Sequence, residues 1–268
     1  PFSILTRGLK NGVHYKVNVY EFDYSAEDLK ILKRYKSSES KYKIAIAVPA
    51  GFDPSKPQRV FVCSAAGNNE AEIKAGDVAV MGLYAQHCVD NGWVCLATDN
   101  DLGNAGDYEQ AMISALQTLA RAWPNMSSWE FAVGGFSGGA KGCFSPCSVL
   151  VGRKHKVIGV FLAGCNEDWS ARFRKDYHAK DAGFRHIRAF LSVGDKDDIA
   201  TVAHCTNVKN SLKANGIRDS RLEVFAGGHA MNGQHFVQAL KWFAEDRPKS
   251  ASAKLGGRQP SPAEPEQE

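Results

Sequence analysis

The stretch that most constrains this chain is Phe131 to Cys143, F-A-V-G-G-F-S-G-G-A-K-G-C. Phe131, Ala132 and Val133 have a strand's composition and run straight into Gly134, Gly135, Phe136, Ser137, Gly138 and Gly139. The core is G-x-S-x-G, Gly135 to Gly139. A serine on a sharp strand-to-helix turn needs small residues two positions to either side, because a side chain there would strike the adjoining strand or helix. Such a turn holds the Ser137 hydroxyl proud of a sheet, at the start of a helix whose free N–H groups and dipole favour a developing oxyanion. Plain glycine turns share this pattern, so its rivals matter. A phosphate loop requires G-x-x-x-x-G-K-[ST]. Here Ala140 separates Gly139 from Lys141, and Gly142 stands where the hydroxyl belongs. A Ser-x-x-Lys nucleophile requires a lysine where Ala140 stands. Both rivals fail.

Around this turn, strands and helices alternate. Apolar runs at 58–65, 93–98, 131–135, 157–163, 187–193 and 222–225 read as buried strands. Residues 12–22 alternate apolar and polar and read as an antiparallel edge strand, with 41–48 as a second strand ending at Pro49. Helical periodicity covers 25–35, 74–90, 108–122, 199–214 and 233–245, and a further helix runs from Gly138 towards Leu150, bent near Pro146. Alternation of this kind predicts an α/β fold, a mostly parallel sheet with helices on both faces. Residues 1–248 form the domain, and 249–268 (S-A-S-A-K-L-G-G-R-Q-P-S-P-A-E-P-E-Q-E follows Lys249) read as a disordered tail.

Charge removes several classes of partner. Against 29 acidic residues stand 33 basic ones, a net charge of +4, too weak to argue for nucleic acid or an anionic membrane surface. No apolar run approaches the roughly 20 residues needed to cross a bilayer. The chain starts at Pro1 without a Met, so a processed or truncated start is expected. Of seven cysteines, Cys63, Cys95 and Cys165 fall in or beside strand-like runs and read as small buried hydrophobes. Cys143 and Cys147 lie four apart on the helix after the serine, where packing is expected before a disulfide. No C-x-x-C pair or clustered Cys/His set is present, so no metal and no cofactor is expected.

In an open parallel sheet, sites form at the carboxyl ends of strands. Ser137 follows one such end, L-S-V-G-D-K-D-D-I-A another, and G-G-H-A the last, at His229. Nucleophile, acid and base histidine thus come in the α/β-hydrolase order. On the three motifs G-G-F-S-G-G-A, V-G-D-K-D-D-I-A and A-G-G-H-A, the chain resembles the α/β-hydrolase superfamily over about residues 12–246. It is most similar to the lidless esterase branch with polyhydroxyalkanoate-depolymerase-like and feruloyl-esterase-like proteins. The resemblance implies a twisted α/β-hydrolase sheet, a secreted or periplasmic compartment over a cytoplasmic one, and a small-molecule or polymeric ester as substrate.

Carried over residue by residue, the resemblance makes Ser137 the nucleophile and His229 its base. The acid is open among Asp195, Asp197 and Asp198; Gly194, Asp197 and Ala200 fit the family's G-x-x-D-x-x-[VIA], which favours Asp197, with turn capping as the role of the other two. Oxyanion donors would be the N–H groups of Gly138 and of Ala66. The chain departs from the family there, with Ser64 in place of the usual histidine and Ala65 in place of glycine. Trp169 and Phe136 are the substrate-binding candidates: Trp169 as an aromatic wall, with surface packing as its alternative, and Phe136 with packing under the turn as its alternative. Arg172, Arg174, Lys175, Lys180 and Arg185 read as a solvated basic face. The expected activity is serine carboxylic-ester hydrolysis through an acyl-enzyme. A serine peptidase of the same fold and a non-catalytic binding protein are the alternatives. Oligomeric state is not legible.

Overall fold

A computed structural model describes residues 5–6, 17–64, 79–98 and 105–246. Its strands are Leu5–Thr6 (β1), Val17–Asp23 (β2), Lys41–Ala47 (β3), Arg59–Ser64 (β4), Val94–Thr98 (β5), Glu130–Phe136 (β6), Lys156–Ala163 (β7), Arg188–Gly194 (β8) and Asp219–Phe225 (β9). They form one sheet in the order β1-β2-β3-β5-β4-β6-β7-β8-β9. β2 and β3 run antiparallel to their neighbours, and β5 to β9 all run parallel. The burial of each strand follows from its place. β5 and β8 are buried at every residue, as strands covered on both faces must be. β9 closes one edge and carries Asp219, Arg221 and Glu223 as exposed residues, which discourages pairing with another chain.

Helices cover both faces: Ala26–Arg34 (α1), Ala79–Gly82 (α2), Ala85–Asp90 (α3), Ala105–Ala122 (α4), Gly138–Gly142 (α5), Phe144–Gly152 (α6), Ser170–Asp176 (α7), Val202–Ala214 (α8) and Gly233–Ala244 (α9). Strand periodicity sorts the core into two layers. Val60, Val62, Val160, Leu162 and Leu191 pack with α4, α6 and α8 on one face. Phe61, Phe161 and Phe190 point the other way, into Tyr84, Phe236 and Phe243 of the α3–α9 layer. Each such buried side chain contributes about 1.5–3 kcal/mol of transfer free energy, which is what holds the helices to the sheet. α4 shows the helix period plainly: Ala111, Met112, Ala115, Leu116 and Leu119 are its buried stripe.

The expectation of a mostly parallel sheet with helices on both faces is met, with local differences. The helix after Ser137 does not bend at Pro146. It breaks at Cys143, between α5 and α6, and Pro146 sits in the first turn of α6, where its missing N–H has no helical partner to lose. The helix expected over 74–90 is two short pieces, α2 and α3, with 74–78 outside the described residues. The strand expected at 12–22 runs over 17–23, is flanked by β1 and so is not the outermost; 12–16 lie outside the described residues. Ala66 and the tail at 249–268 also lie outside them.

For the site, the register matters most. Ser64 pairs with Gly135, Phe136 with Ala163, Ala163 with Ser192, and Gly194 with Phe225. The ends of β4, β6, β7, β8 and β9 therefore stand side by side along one edge of the layer.

Candidate functional site

Ser137 is held in a backbone conformation that its side chain resists. Its φ is 55° and its ψ −118°, a region that costs a non-glycine residue on the order of 1–3 kcal/mol. The surroundings impose it. Its N–H donates to the Ala163 carbonyl at 2.8 Å, and its own carbonyl accepts from Ala140 N–H at 3.1 Å, closing the turn into α5. The flanking glycines are required sterically. A Cβ on Gly135 would collide with the backbone carbonyl group of Gly139, and one on Gly134 would stand 2.5 Å from the Phe161 carbonyl oxygen. Gly138 opens α5, so its N–H has no partner within the helix.

Asp197 lies past the end of β8 and is buried, with its side chain 1% exposed. Oδ1 accepts from the N–H groups of Ile199 (2.9 Å) and Ala200 (2.7 Å). Oδ2 lies 2.8 Å from Nδ1 of His229. Burial alone would push this carboxyl up. The Ala200 N–H, the His229 hydrogen bond, the Ile199 N–H and the histidine's charge together outweigh it and hold the group below the usual carboxylate value. An ionised Asp197 can only accept, so Nδ1 of His229 is the donor and Nε2 is left to act as an acceptor. Among the described residues Ser137 and His229 make no hydrogen bond with each other, and their meeting point is β7. The backbone of Ala163 holds Ser137, while the next residue, Gly164, abuts the imidazole: a Cβ there would stand 2.9 Å from His229 Cε1.

The other acidic candidates do different work. Asp195 is exposed and its Oδ1 accepts from Gly227 N–H at 2.9 Å. The backbone bonds Asp195 N–H to Phe225 and Lys196 N–H to Gly227 run alongside (both 2.8 Å), so Asp195 pins the loop that delivers His229. Asp198 is exposed. Phe136 packs against the histidine with its ring tilted by 40°, ring centroids 4.6 Å apart, so it buttresses the base. Trp169 caps α7, half-buried on the core, with Lys141 Nζ 5.3 Å and the Arg172 guanidinium 5.4 Å from its ring centre. The basic face is corrected at one position. Arg174 is buried over the Phe184 ring at 4.9 Å, while Arg172, Lys175, Lys180 and Arg185 are exposed.

Sequence reasoning passed over Gly164, and used Gly194 only as a motif position without seeing what requires a glycine there. Gly164 has φ 55° and donates to the Ser192 carbonyl at 2.9 Å. A Cβ on Gly194 would collide with the carbonyl oxygens of Gly227 and Gly228, so the acid strand and the histidine loop touch backbone to backbone. The signal was visible: each is a glycine directly at the end of an apolar run. Ser64 is buried at the end of β4. His235, on α9, has its Nδ1 2.9 Å from the Ser192 hydroxyl. All seven cysteines are free and buried. Among the described residues no group of three or more His, Cys, Asp or Glu side chains is placed to hold a metal, and no helix is long and apolar enough to cross a membrane. A cleft of about 580 Å³ lies away from these strand ends, beside Phe22, Tyr42 and Thr118.

No protein-family model and no curated protein sequence matches the chain. Solved structures do. A protein described as a dipeptidyl aminopeptidase IV from Bacteroides ovatus matches with a TM-score of 0.56 at 12% identity, over 87% of this chain; the match spans 36% of that longer protein. An acetyl xylan esterase from Paenibacillus sp. R4 matches with a TM-score of 0.52 at 11% identity, over 91% of this chain and 88% of its own. An esterase from Pyrococcus furiosus gives 0.51 at 15% identity, over 88% and 96%. The protein has the α/β-hydrolase fold. At such identities the likeness concerns the fold, and the chemistry must be argued from the residues.

Proposed function

We propose that this protein is a serine carboxylic-ester hydrolase working through an acyl-enzyme. The observation that carries the reading is the 2.8 Å contact of a buried, ionised Asp197 with His229, at strand ends neighbouring a serine held at φ 55°. Asp197 fixes the tautomer of His229 and stabilises its charged form. Nε2 takes the Ser137 proton as Oγ attacks the ester carbonyl. The Gly138 N–H donates to the oxyanion, with a second donor proposed at Ala66. His229 returns the proton to the departing alcohol, and then activates water to release the acid.

Short-acyl, aryl or polymeric esters suit this site. The connection between β7 and β8 holds only α7 and the short 3-10 turn Asp181–Phe184. A long acyl chain gains about 0.8 kcal/mol for each CH₂ it buries, and this connection offers it little cover. A serine-peptidase reading draws on the similarity to the dipeptidyl aminopeptidase-like structure. One experiment separates the readings. A fluorophosphonate should label wild type and not Ser137→Ala, and 4-nitrophenyl acetate and butyrate should be turned over while a peptide panel is not. Equal labelling of Ser137→Ala would remove Ser137 as nucleophile. Peptide turnover exceeding that of esters would favour the peptidase.

A further inference from the structure

Lys141 lies on α5, four residues beyond Ser137. Its ammonium rests 5.3 Å from the centre of the Trp169 ring, on the loop that leaves β7 through Gly164, the residue against His229. Lys141 also faces that loop at Cys165. Burial pushes the Cys165 thiol up to about 12, and the lysine's charge is one of the smaller influences pulling it down. The amine is therefore beside the candidate site, half-buried, and ordered over an indole by cation–π attraction instead of extended into water.

What makes it informative is the missing counter-charge. A second cation, Arg172, stands 5.4 Å from the same ring centre, and it has a carboxylate: Asp176 at 3.7 Å. Lys141 has none within ion-pair distance among the described residues. Asp168, next to Trp169, is committed elsewhere. Its Oδ1 accepts from Ser170 N–H (2.8 Å), and its Oδ2 from the Ser211 hydroxyl (2.7 Å) and the Asn215 amide (3.0 Å). Those bonds anchor the Trp169 loop to α8, so Asp168 is held away from a role as the lysine's partner. Among the described residues, the rim of the site thus presents one positioned cation without a counter-ion, next to an aromatic ring.

We infer that Lys141 and Trp169 form an anion-selective subsite beside Ser137, and that the preferred ester carries a negatively charged group on the part lying against them. This rests on the ester-hydrolase reading above. The ring supports the apolar or aryl body of that group and the ammonium meets its charge.

The test uses ester pairs matched in shape and differing in charge: 4-acetoxybenzoate against 4-acetoxybenzamide, which places the charge in the leaving group, and mono-4-nitrophenyl adipate against 4-nitrophenyl hexanoate, which places it in the acyl group. Wild type should favour the anionic member of at least one pair in kcat/KM by about fivefold, the scale of one part-exposed charge contact. In Lys141→Gln that ratio should fall to near one, mainly through KM, and in Lys141→Glu it should invert; Lys141→Arg should restore part of it. Raising salt from 20 mM to 500 mM should shrink the wild-type ratio and leave that of Lys141→Gln unmoved. A charge ratio near one in wild type for both pairs, with the neutral esters hydrolysed, would overturn this inference and leave the hydrolase reading standing. So would a ratio that survives Lys141→Gln. No hydrolysis of any of the four esters would overturn both.

Discussion

The ends of β6 and β8 hold their key residues by opposite means. At the end of β6 the control is steric. Ser137 occupies its strained conformation because Gly134 and Gly135 leave no room for side chains between the strand, Phe161 and the Gly139 carbonyl. At the end of β8 the control is polar. Asp197 is buried and lowered in pKa because two backbone N–H groups and an imidazole converge on it. A steric site tolerates nothing larger than what it holds. A polar site tolerates many shapes but only one hydrogen-bonding pattern. The two ends should therefore fail differently when altered.

The largest effect is expected at the polar end. Asp197→Asn keeps the shape and the acceptor for Ala200, but offers an amide where the imidazole needs an anion. We expect kcat for ester hydrolysis to fall by about 10²- to 10⁴-fold with KM little changed, the pattern of a lost transition-state interaction. An equal or larger loss in Asp198→Asn would transfer the role. At the steric end, Gly135→Ala adds one methyl group against backbone that cannot rotate away. We expect a loss of about 1–3 kcal/mol of stability by denaturant titration, with turnover down on the order of 10²-fold as the turn distorts. Full activity with lost stability would show that the elbow deforms without moving Ser137.

This contrast also explains what was legible in the sequence. Steric control writes itself in glycines at fixed spacing, so the turn at Ser137 could be read from Gly135 and Gly139 once Ala140 and Gly142 had removed the rival motifs. Polar control does not. Three aspartates within four residues look alike, and what separates Asp197 is which of them the turn buries under His229 while Asp195 is turned outward to Gly227. The β8 and β7 ends were legible as strands because their residues are buried on both faces. Gly164 was missed because its reason, an imidazole from residue 229 against its Cα, is wholly non-local. The same holds for Arg174: a basic run suggests a wet surface, and only packing against Phe184 reveals that one of its members turns inward. The break at Cys143 was misplaced because proline's known effect on helix interiors was applied to a residue that proved to lie in a first turn.

Gly164 joins the two kinds of control, and its alteration should cost less than either. Gly164→Ala places a methyl group against the His229 ring at a residue with φ 55°. The imidazole can tilt by a few tenths of an ångström, though only by loosening its bond to Asp197. We expect kcat/KM to fall by about tenfold and the melting temperature to drop by a few degrees. An unchanged kcat/KM would mean that His229 has slack the structure does not suggest. Below this lies Asp195→Asn, which weakens the tie to Gly227 and leaves the remaining backbone bonds of the loop in place. About a threefold loss is expected, and in the Asp197→Asn background it should nearly vanish, since a histidine without its partner gains little from a well-placed loop. Additive losses would argue that Asp195 acts on something other than His229.

The smallest effect is on stability against pH, and its sign discriminates between the two forces acting on Asp197. Burial acting alone would raise the carboxyl, so that folding would favour the protonated form and acid would strengthen it. The hydrogen bonds from Ala200, His229 and Ile199 act the other way, and they win. A group whose folded pKa lies below its unfolded value contributes stability that is fully present above the unfolded value, near 3.9, and is lost as pH falls through the folded one. Wild type should therefore exceed Asp197→Asn in melting temperature by a constant margin from about pH 5 to pH 7, and the margin should close only below about pH 4. A margin that widens on acidification from pH 6 would mean that burial dominates. The polar end of the comparison would then be held by desolvation instead of by its hydrogen bonds.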